Sequence, residues 1–590
     1  MCGIVGYTGW REAQVVLLNN LARLEYRGYD SCGLALRGSP LTIVKDAVRV
    51  AELAKTITPV KSTSGIGHTR WATHGPPCKI NAHPHLDCTG SIAVVHNGVI
   101  TNYEKLRKQL TEEGHKFISE TDTEVISHLV EKYLKGNLEE AVNSALKVLE
   151  GSYAIIVIAD NDPALVFARK DSPMILGIGE KEYFIASDVP ALLEYTNRVI
   201  YLEDGDAGVV TPQGIKITHA GQPVTREENK IHWTADQAQK GGYEHYMLKE
   251  IHEQPSILRE TISEYLSSQS SSDISSFYGN NKSVLMLACG TSYHAAMIGK
   301  YVTEKLLNTS VRLEMASEFN YLSRTPYFPL TIGITQSGET ADTLKALRRA
   351  KEAHSMVMAI TNVVGSTASR SSNYVLYTRA GPEISVAATK SFTAQLGALY
   401  WLALSQSSLS IPEILLHEFR HLPSKVQEVL DMEEVIKLSA NKLAGYENVF
   451  FIGRGINYPV ALEGALKLKE ISYIHSEAYA AGEIKHGPFA LLSNKTPVIA
   501  IVMRDNCHDA MLTTIKEIRA RGSPVFAIVE DTDTAIVDMA DYLIPVPSIM
   551  DIFSPFITSV VMQLLAYFTA KKRGCPIDFP RNLAKSVTVE

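Results

Sequence analysis

The chain has 590 residues, 45% of them hydrophobic and 21% charged, which is an ordinary globular composition long enough for three or four domains. A diffuse net charge of -7 excludes the basic footprint of a nucleic-acid binder, and the start MCGIVGYTGWREAQ has neither the basic nor the apolar region of a secretory signal. Seven scattered cysteines form no disulfide framework and point to a reducing cytoplasm, and the apolar runs PVIAIVM and VFAIV read as buried strands, too short to span a membrane.

The first element raises the first question, because Cys2 stands directly before a glycine at the chain start. Removal of the initiator methionine leaves a thiol and a free α-amine on one residue. That amine titrates at about 7.7–8.0, so nucleophile and base coincide. The opposing reading is an inert thiol on a loose terminus. Further along, HTRWATHG carries Arg70, whose planar fork suits a carboxylate, and Trp71, either a lid or a core aromatic. In VVHNGVI an apolar strand is expected to end at Asn97-Gly98. A side-chain amide and a backbone N–H there suit an oxyanion, while a type I′ hairpin turn favours the same pair. In SETDTE, Asp122 fits either an ammonium partner or a helix cap. Cys78, His83, His85 and Cys88 invite a zinc reading, but their order and spacing depart from the usual paired ligands, and no metal is expected.

MCGIVG, EYRGYDS, HTRWATHG, NAHPH, HNG and SETDTE together resemble the glutamine amidotransferase domain of the N-terminal-nucleophile hydrolases, over about the first 220 residues. The resemblance implies an αββα sandwich in which Cys2 attacks the glutamine amide. It further implies that Arg70 and Asp122 hold the substrate's α-carboxylate and α-amine, and that Asn97 and Gly98 hold the oxyanion.

After a polar stretch expected to be a linker (221–242), YEHYMLKEIHEQPSILRETI reads as helix and SSQSSSDISS as a loop. An internal repeat follows, with Gly290 and Tyr293 recurring as Gly455 and Tyr458. Fully apolar strands alternating with amphipathic helices predict two doubly wound α/β domains, at 243–410 and 411–575, before a tail at 576–590. In LTIGITQSGETADTL a strand runs into hydroxyl-rich residues at a helix start, an anion site or simply a capped helix. Thr335, Gln336, Ser337 and Thr340 are the candidate phosphate ligands, with Ser292 of ACGTS on the repeat-related strand end. Lys467 and Glu470 share a helix face, as a catalytic pair or a surface ion pair. His486 precedes Gly-Pro in a loop, and Lys585 lies in PRNLAKSVTVE, a frayed or docked tail.

These segments resemble paired sugar isomerase (SIS) domains, and the whole chain resembles the glutamine–fructose-6-phosphate aminotransferase family. That resemblance implies a Schiff base between Lys585 and ring-opened fructose 6-phosphate, with Glu470 moving the C1–C2 proton assisted by Lys467. It implies ring opening by His486 from the second subunit of a homodimer, and ammonia carried inside the protein past Trp71. It implies no metal, nucleotide or pyridoxal cofactor. One departure is Ala388 in VAATKSF, where the family commonly has a serine.

Overall fold

The structure is a computed structural model, and it describes residues 2–231, 239–266, 278, 281–307, 309–406 and 413–588. The loop expected at 267–276 lies outside the described residues. The chain forms two compact units: Met1–Ala238 with Glu339–Ala341 and Ala584–Glu590, and Gln239–Gly338 with Asp342–Leu583.

The first unit is built on two antiparallel sheets of eight and seven strands. Strands Gly3–Thr8, Ser64–Arg70 and Ser31–Leu36 lie in the larger sheet, and Ile92–Ile100, Gly151–Ala159 and Leu165–Lys170 in the smaller. Alternation along the strands sends one side chain in two to the shared interior. Ile4, Ala35 and Ile66 thereby meet Val95, Ile156 and Phe167. The other face of the smaller sheet packs on helices Tyr103–Glu112, Glu124–Tyr133 and Leu138–Leu146 through Leu106, Val125, Leu129 and Val142. Helix Ala13–Ala22 lies on the larger sheet, completing the αββα layering read from the sequence.

The expected linker is shorter than 221–242. Gln222–Val224 and Glu228–Lys230 extend the two sheets as edge strands, and residues 232–238 lie outside the described residues. Polar composition misled here, because the charges have partners: Arg226 forks onto Asp206, which is fully buried, and Arg198 pairs with Glu228.

The second unit holds two five-stranded, all-parallel sheets. Numbering the strands within each sheet along the chain, both have the spatial order 2-1-3-4-5. In such a sheet the chain reverses direction beside strand 1, and the C-terminal ends of strands 1 and 3 frame a crevice. In the first sheet these strands are Ser283–Ala288 and Leu330–Thr335, and in the second Asn448–Gly453 and Val498–Val502. One core joins both, with Met286 and Ile332 in the same cluster as Phe451 and Ile499. Its axis is helix Ser554–Arg573, long and apolar enough to cross a membrane, yet buried within the protein from Ser554 to Ala570. Sequence reading did not single out this helix, the longest among the described residues.

The tail expected at 576–590 divides. Asp578 accepts the Tyr246 and Met247 amides at the start of helix Tyr246–His252 within the second unit. Residues from Ala584 onward belong to the first unit, where the Lys585 amide reaches the Tyr26 carbonyl (3.4 Å) and Val587 accepts from Ala341 (3.1 Å).

Candidate active site

Antiparallel pairing of Gly3 with Thr69 sets Cys2 beside Arg70 and Trp71. The Cys2 sulfur accepts the Trp71 amide at 3.3 Å and lies 3.6 Å from the Trp71 carbonyl. Burial pushes its thiol pKa up, while the Trp71 amide and the Arg70 charge pull it down. Asn97 donates its side-chain amide to the Cys2 carbonyl at 3.0 Å. The pair Asn97-Gly98 is therefore no hairpin turn. The strand runs on through it to Ile100, with Asn97 opposite Ala154 and Gly98 opposite Tyr153. Gly98 sits at φ +132°, and a β-carbon there would come within 2.1 Å of the Ser152 carbonyl, so only glycine fits.

Sequence reading missed what aims Asn97. The Nε2 of His68 lies 3.1 Å from the Asn97 Oδ1 and 3.0 Å from the His96 carbonyl. Both are acceptors, so Nε2 carries the hydrogen and the amide is fixed with its NH₂ toward Cys2. His68 is fully buried, and burial pushes its pKa down to about 3, which keeps it neutral. The signal was in HTRWATHG: His68 and Arg70, two apart on strand Ser64–Arg70, share one face.

Asp122 does not cap the helix that follows. Its Oδ2 accepts the Ile100 amide at 2.8 Å, and its Oδ1 lies 3.8 Å from His74 Nδ1. Thr123 opens that helix with no side-chain cap, and Glu124 takes the Ile118 and Ser119 amides of the segment before it. Arg70, nearly buried, donates to the carbonyls of His74, Gly75 and Pro76 and so ties down the loop after Trp71, itself half-buried. Of the sequence's zinc candidates, His83 and His85 are buried with pKa values pushed well below the usual range by desolvation, and His83 stacks on His68 at 4.0 Å. They do not converge with Cys78 and Cys88 on a common point.

In the second unit, Lys467 and Glu470 form no surface pair. Lys467 is 1% exposed, and its Nζ lies 2.6 Å from Glu470, 3.5 Å from Glu463 and 3.2 Å from the Thr291 hydroxyl. Glu463 also accepts from Thr291 (3.0 Å) and faces His294 Nδ1 at 2.7 Å. Burial penalises Glu463, but the Lys467 charge, His294 and Thr291 hold its carboxyl below the usual range. Burial also opposes charge on Lys467, and Glu470 and Glu463 overcome it, raising its pKa. Glu463, Thr291 and His294 escaped the sequence reading. Glu463 stands one helical turn before Lys467, the spacing that signals it.

The Gln336–Thr340 loop lies at the C-terminal end of strand 3 of the first sheet, at the crevice that this topology creates. Gly338, at φ +69°, has no room for a side chain beside the Ser366 hydroxyl and donates its amide to Thr335 Oγ1. Thr335 thus shapes the loop, while Gln336 gives its carbonyl to the Asn362 amide and Thr340 leads into helix Ala341–Glu352. Ser337 is half-buried, and the buried Ser366 hydroxyl has no hydrogen-bond partner. Ser292, after strand 1, receives Gln395 Nε2 at 2.9 Å. Ala388 precedes Thr389, whose amide is held by the buried Glu383. His486 is exposed in the loop after Glu483–Lys485, and Lys585 is half-buried in the first unit.

The SIS domain family matches residues 277–405 and 442–570, and the glutamine amidotransferase domain family matches 70–194. Along its whole length the chain is 47% identical to a glutamine–fructose-6-phosphate aminotransferase (isomerizing) of Caldanaerobacter subterraneus, all of which is covered. A protein of the same name from Methanothermobacter thermautotrophicus is also 47% identical, with both chains fully covered. The chain belongs to the glutamine–fructose-6-phosphate aminotransferase family. Among solved structures, the C-terminal domain of glucosamine-fructose-6-phosphate aminotransferase from Francisella tularensis matches 58% of this chain and all of its own, at 37% identity and a TM-score of 0.54. The two domain matches fall on the two kinds of sheet described above, antiparallel in the first unit and parallel in the second.

Proposed function

We propose that this chain transfers the amide nitrogen of L-glutamine to D-fructose 6-phosphate with isomerisation, giving D-glucosamine 6-phosphate and L-glutamate. The observation that carries the reading is the pairing of a chain-start thiol with an oriented amide donor: Cys2 against Trp71 N–H, with Asn97 aimed at it by neutral His68. After removal of the initiator methionine, the Cys2 amine takes the thiol proton, the sulfur attacks the glutamine Cδ, and the oxyanion rests on Asn97 and the Gly98 amide. Collapse expels ammonia with the proton held by the amine, and water then releases glutamate from the thioester. Arg70 and Asp122 hold the substrate's α-carboxylate and α-amine, and the half-buried Trp71 gates the route that ammonia takes inside the protein.

In the sugar half, Ser292, Thr335, Gln336, Ser337 and Thr340 hold the phosphate. Lys585 condenses with the open-chain ketone, losing water, and ammonia later displaces the lysine at C2. Glu470 carries the proton from C1 to C2, and Lys467, 2.6 Å away, holds that carboxylate in place. His486, exposed on its own chain, serves the sugar of a second subunit in a homodimer. The setting is the cytoplasm, at the entry to amino-sugar synthesis.

Amide-¹⁵N-glutamine and fructose 6-phosphate, followed by mass spectrometry, test the reading. Labelled glucosamine 6-phosphate is expected, and it disappears in Cys2→Ala and in Lys585→Ala. Labelled ammonia without labelled sugar in the unaltered protein would reject the acceptor.

A further inference from the structure

One side-chain cluster in the first unit plays no part in the chemistry above. Cys88 lies in the turn between strands His85–Leu86 and Ile92–Ile100, and His115 follows helix Tyr103–Glu112. His128 and Glu131 share one face of helix Glu124–Tyr133, three residues apart. Their ligand atoms all fall within 4.8 Å of one another. The Cys88 sulfur is 3.7 Å from His115 Nδ1 and 3.5 Å from His128 Nδ1. The Glu131 Oε2 is 2.8 Å from His115 Nδ1 and 3.1 Å from His128 Nδ1.

Those four separations suit four of the six edges of a small tetrahedron. Zinc with ordinary bond lengths sets sulfur and nitrogen about 3.5 Å apart and nitrogen and oxygen about 3.3 Å apart. We propose that Cys88, His115, His128 and Glu131 form a structural site for a divalent transition metal, zinc above all. Four protein donors of S, N, N and O leave no open position for a substrate, which marks a structural and not a catalytic ion.

The surroundings are those of a built site. The far nitrogen of His128, Nε2, is buried without a hydrogen-bond partner, and Glu124 Oε1 stands 3.7 Å from it, on the side where a ligating histidine takes an outer carboxylate. The Lys116 amide points at the Cys88 sulfur (3.4 Å), as donors do around a metal-bound thiolate. Phe117 walls one side, its ring 4.5 Å from that of His128, while Cys88 is exposed and gives the ion a way in. The turn is preformed, because Asp87 collects the amides of Thr89 and Ile92.

The sequence led to no metal, and of the four residues weighed there for zinc only Cys88 belongs to this cluster. Local spacing failed because the other ligands lie 27 and more residues away, brought in by the packing of helix Glu124–Tyr133 on the smaller sheet. Through Glu124, which also holds the Ile118 and Ser119 amides, the ion steadies the segment that presents Asp122. The proposal stands independently of the reaction assigned above.

The test uses the full chain, stripped by a chelator, incubated with Zn²⁺, desalted and assayed for metal. The unaltered protein is expected to keep one equivalent, and Cys88→Ser and His115→Ala to keep none. With Co²⁺ in place of zinc, thiolate-to-metal charge transfer and tetrahedral visible bands are expected, and both vanish in Cys88→Ser. Exposed Cys88 tolerates serine, and circular dichroism matching the unaltered protein separates lost binding from lost folding. No retained zinc in the unaltered protein would overturn the proposal. So would zinc that persists in both variants, or zinc that is lost in Cys2→Ala but kept in Cys88→Ser.

Discussion

The two sugar-isomerase halves of the second unit share a strand order and place their polar residues in opposite ways. At the end of strand 3, the first half has Gln336-Ser337-Gly338-Glu339-Thr340, a hydroxyl loop suited to an anion. The second half has Met503-Arg504-Asp505-Asn506-Cys507 there, with the Cys507 and Arg504 amides already taken by the carboxylates of Asp505 and Glu530. On the helix after strand 1 the assignment reverses. Glu463 and Lys467 of the second half match Ile298 and Val302 of the first under the alignment of Gly290 with Gly455, and all four are buried. The same fold position is thus filled by apolar side chains in one copy and by charges in the other. Packing does not demand those charges, so their presence needs a chemical reason.

The largest effect expected follows directly. Removing one member of a buried ion pair strands the other, which costs about 3–5 kcal/mol, whereas replacing the pair by apolar residues is about neutral. Lys467→Val alone should destabilise the second unit by that amount, measured by urea unfolding. Glu463→Ile with Lys467→Val, which copies the first half, should recover part of the loss, because Glu470 still loses Lys467 and His294 still loses Glu463. Both variants should make no glucosamine 6-phosphate while still hydrolysing glutamine. A double variant as unstable as the single one would mean that the charges hold the halves together and that the comparison has been misread.

Acid separates the two units next. Glu463 has its pKa lowered from an ordinary 4.5, so its stabilisation is present above that pH and is lost only as pH falls further. Lys467 has its pKa raised from 10.5, so its share is present below 10.5 and is lost as pH rises beyond it. Between those limits the second unit's pair is insensitive. His68, in contrast, has a folded pKa of about 3 against an ordinary 6.5, and its stabilisation is present above 6.5 and lost as pH falls. Each such histidine contributes a slope of about 1.4 kcal/mol per pH unit. Calorimetry at pH 7.5 and pH 5 should show the first unit's transition falling well ahead of the second's. Parallel shifts would contradict the neutral-histidine account of how Asn97 is held.

What the sequence made legible follows from the range of the interactions. The alternation of apolar strands and helices is local, and it revealed both parallel sheets and their duplication. Cys2, Arg70, Asn97 and Asp122 were named from short motifs, and all four lie close to or on the strands around Cys2. The misses were tertiary. Asn97-Gly98 looked like a turn because the dipeptide favours one, yet the ladder to Ala154 and Tyr153 runs straight through it. For Lys467 and Glu470 the i,i+3 spacing left a surface ion pair open beside the catalytic one, because spacing says nothing of burial. The linker looked unstructured because its charges find partners, such as Asp206, only after folding.

The smallest effect tests the phosphate assignment at single-group resolution. Ser337→Ala removes one hydroxyl from the first-half loop, and one net hydrogen bond contributes about 0.5–1.5 kcal/mol, so KM for fructose 6-phosphate should rise about two- to twelvefold. Glutaminase activity without sugar should stay as it was. Asp505→Asn, in the matching loop of the second half, keeps the oxygen that accepts from Cys507 and should leave that KM unchanged. A fall in KM on losing the Asp505 charge would mean that the second loop also meets the phosphate, and the division of labour between the halves would have to be redrawn as a site shared by both.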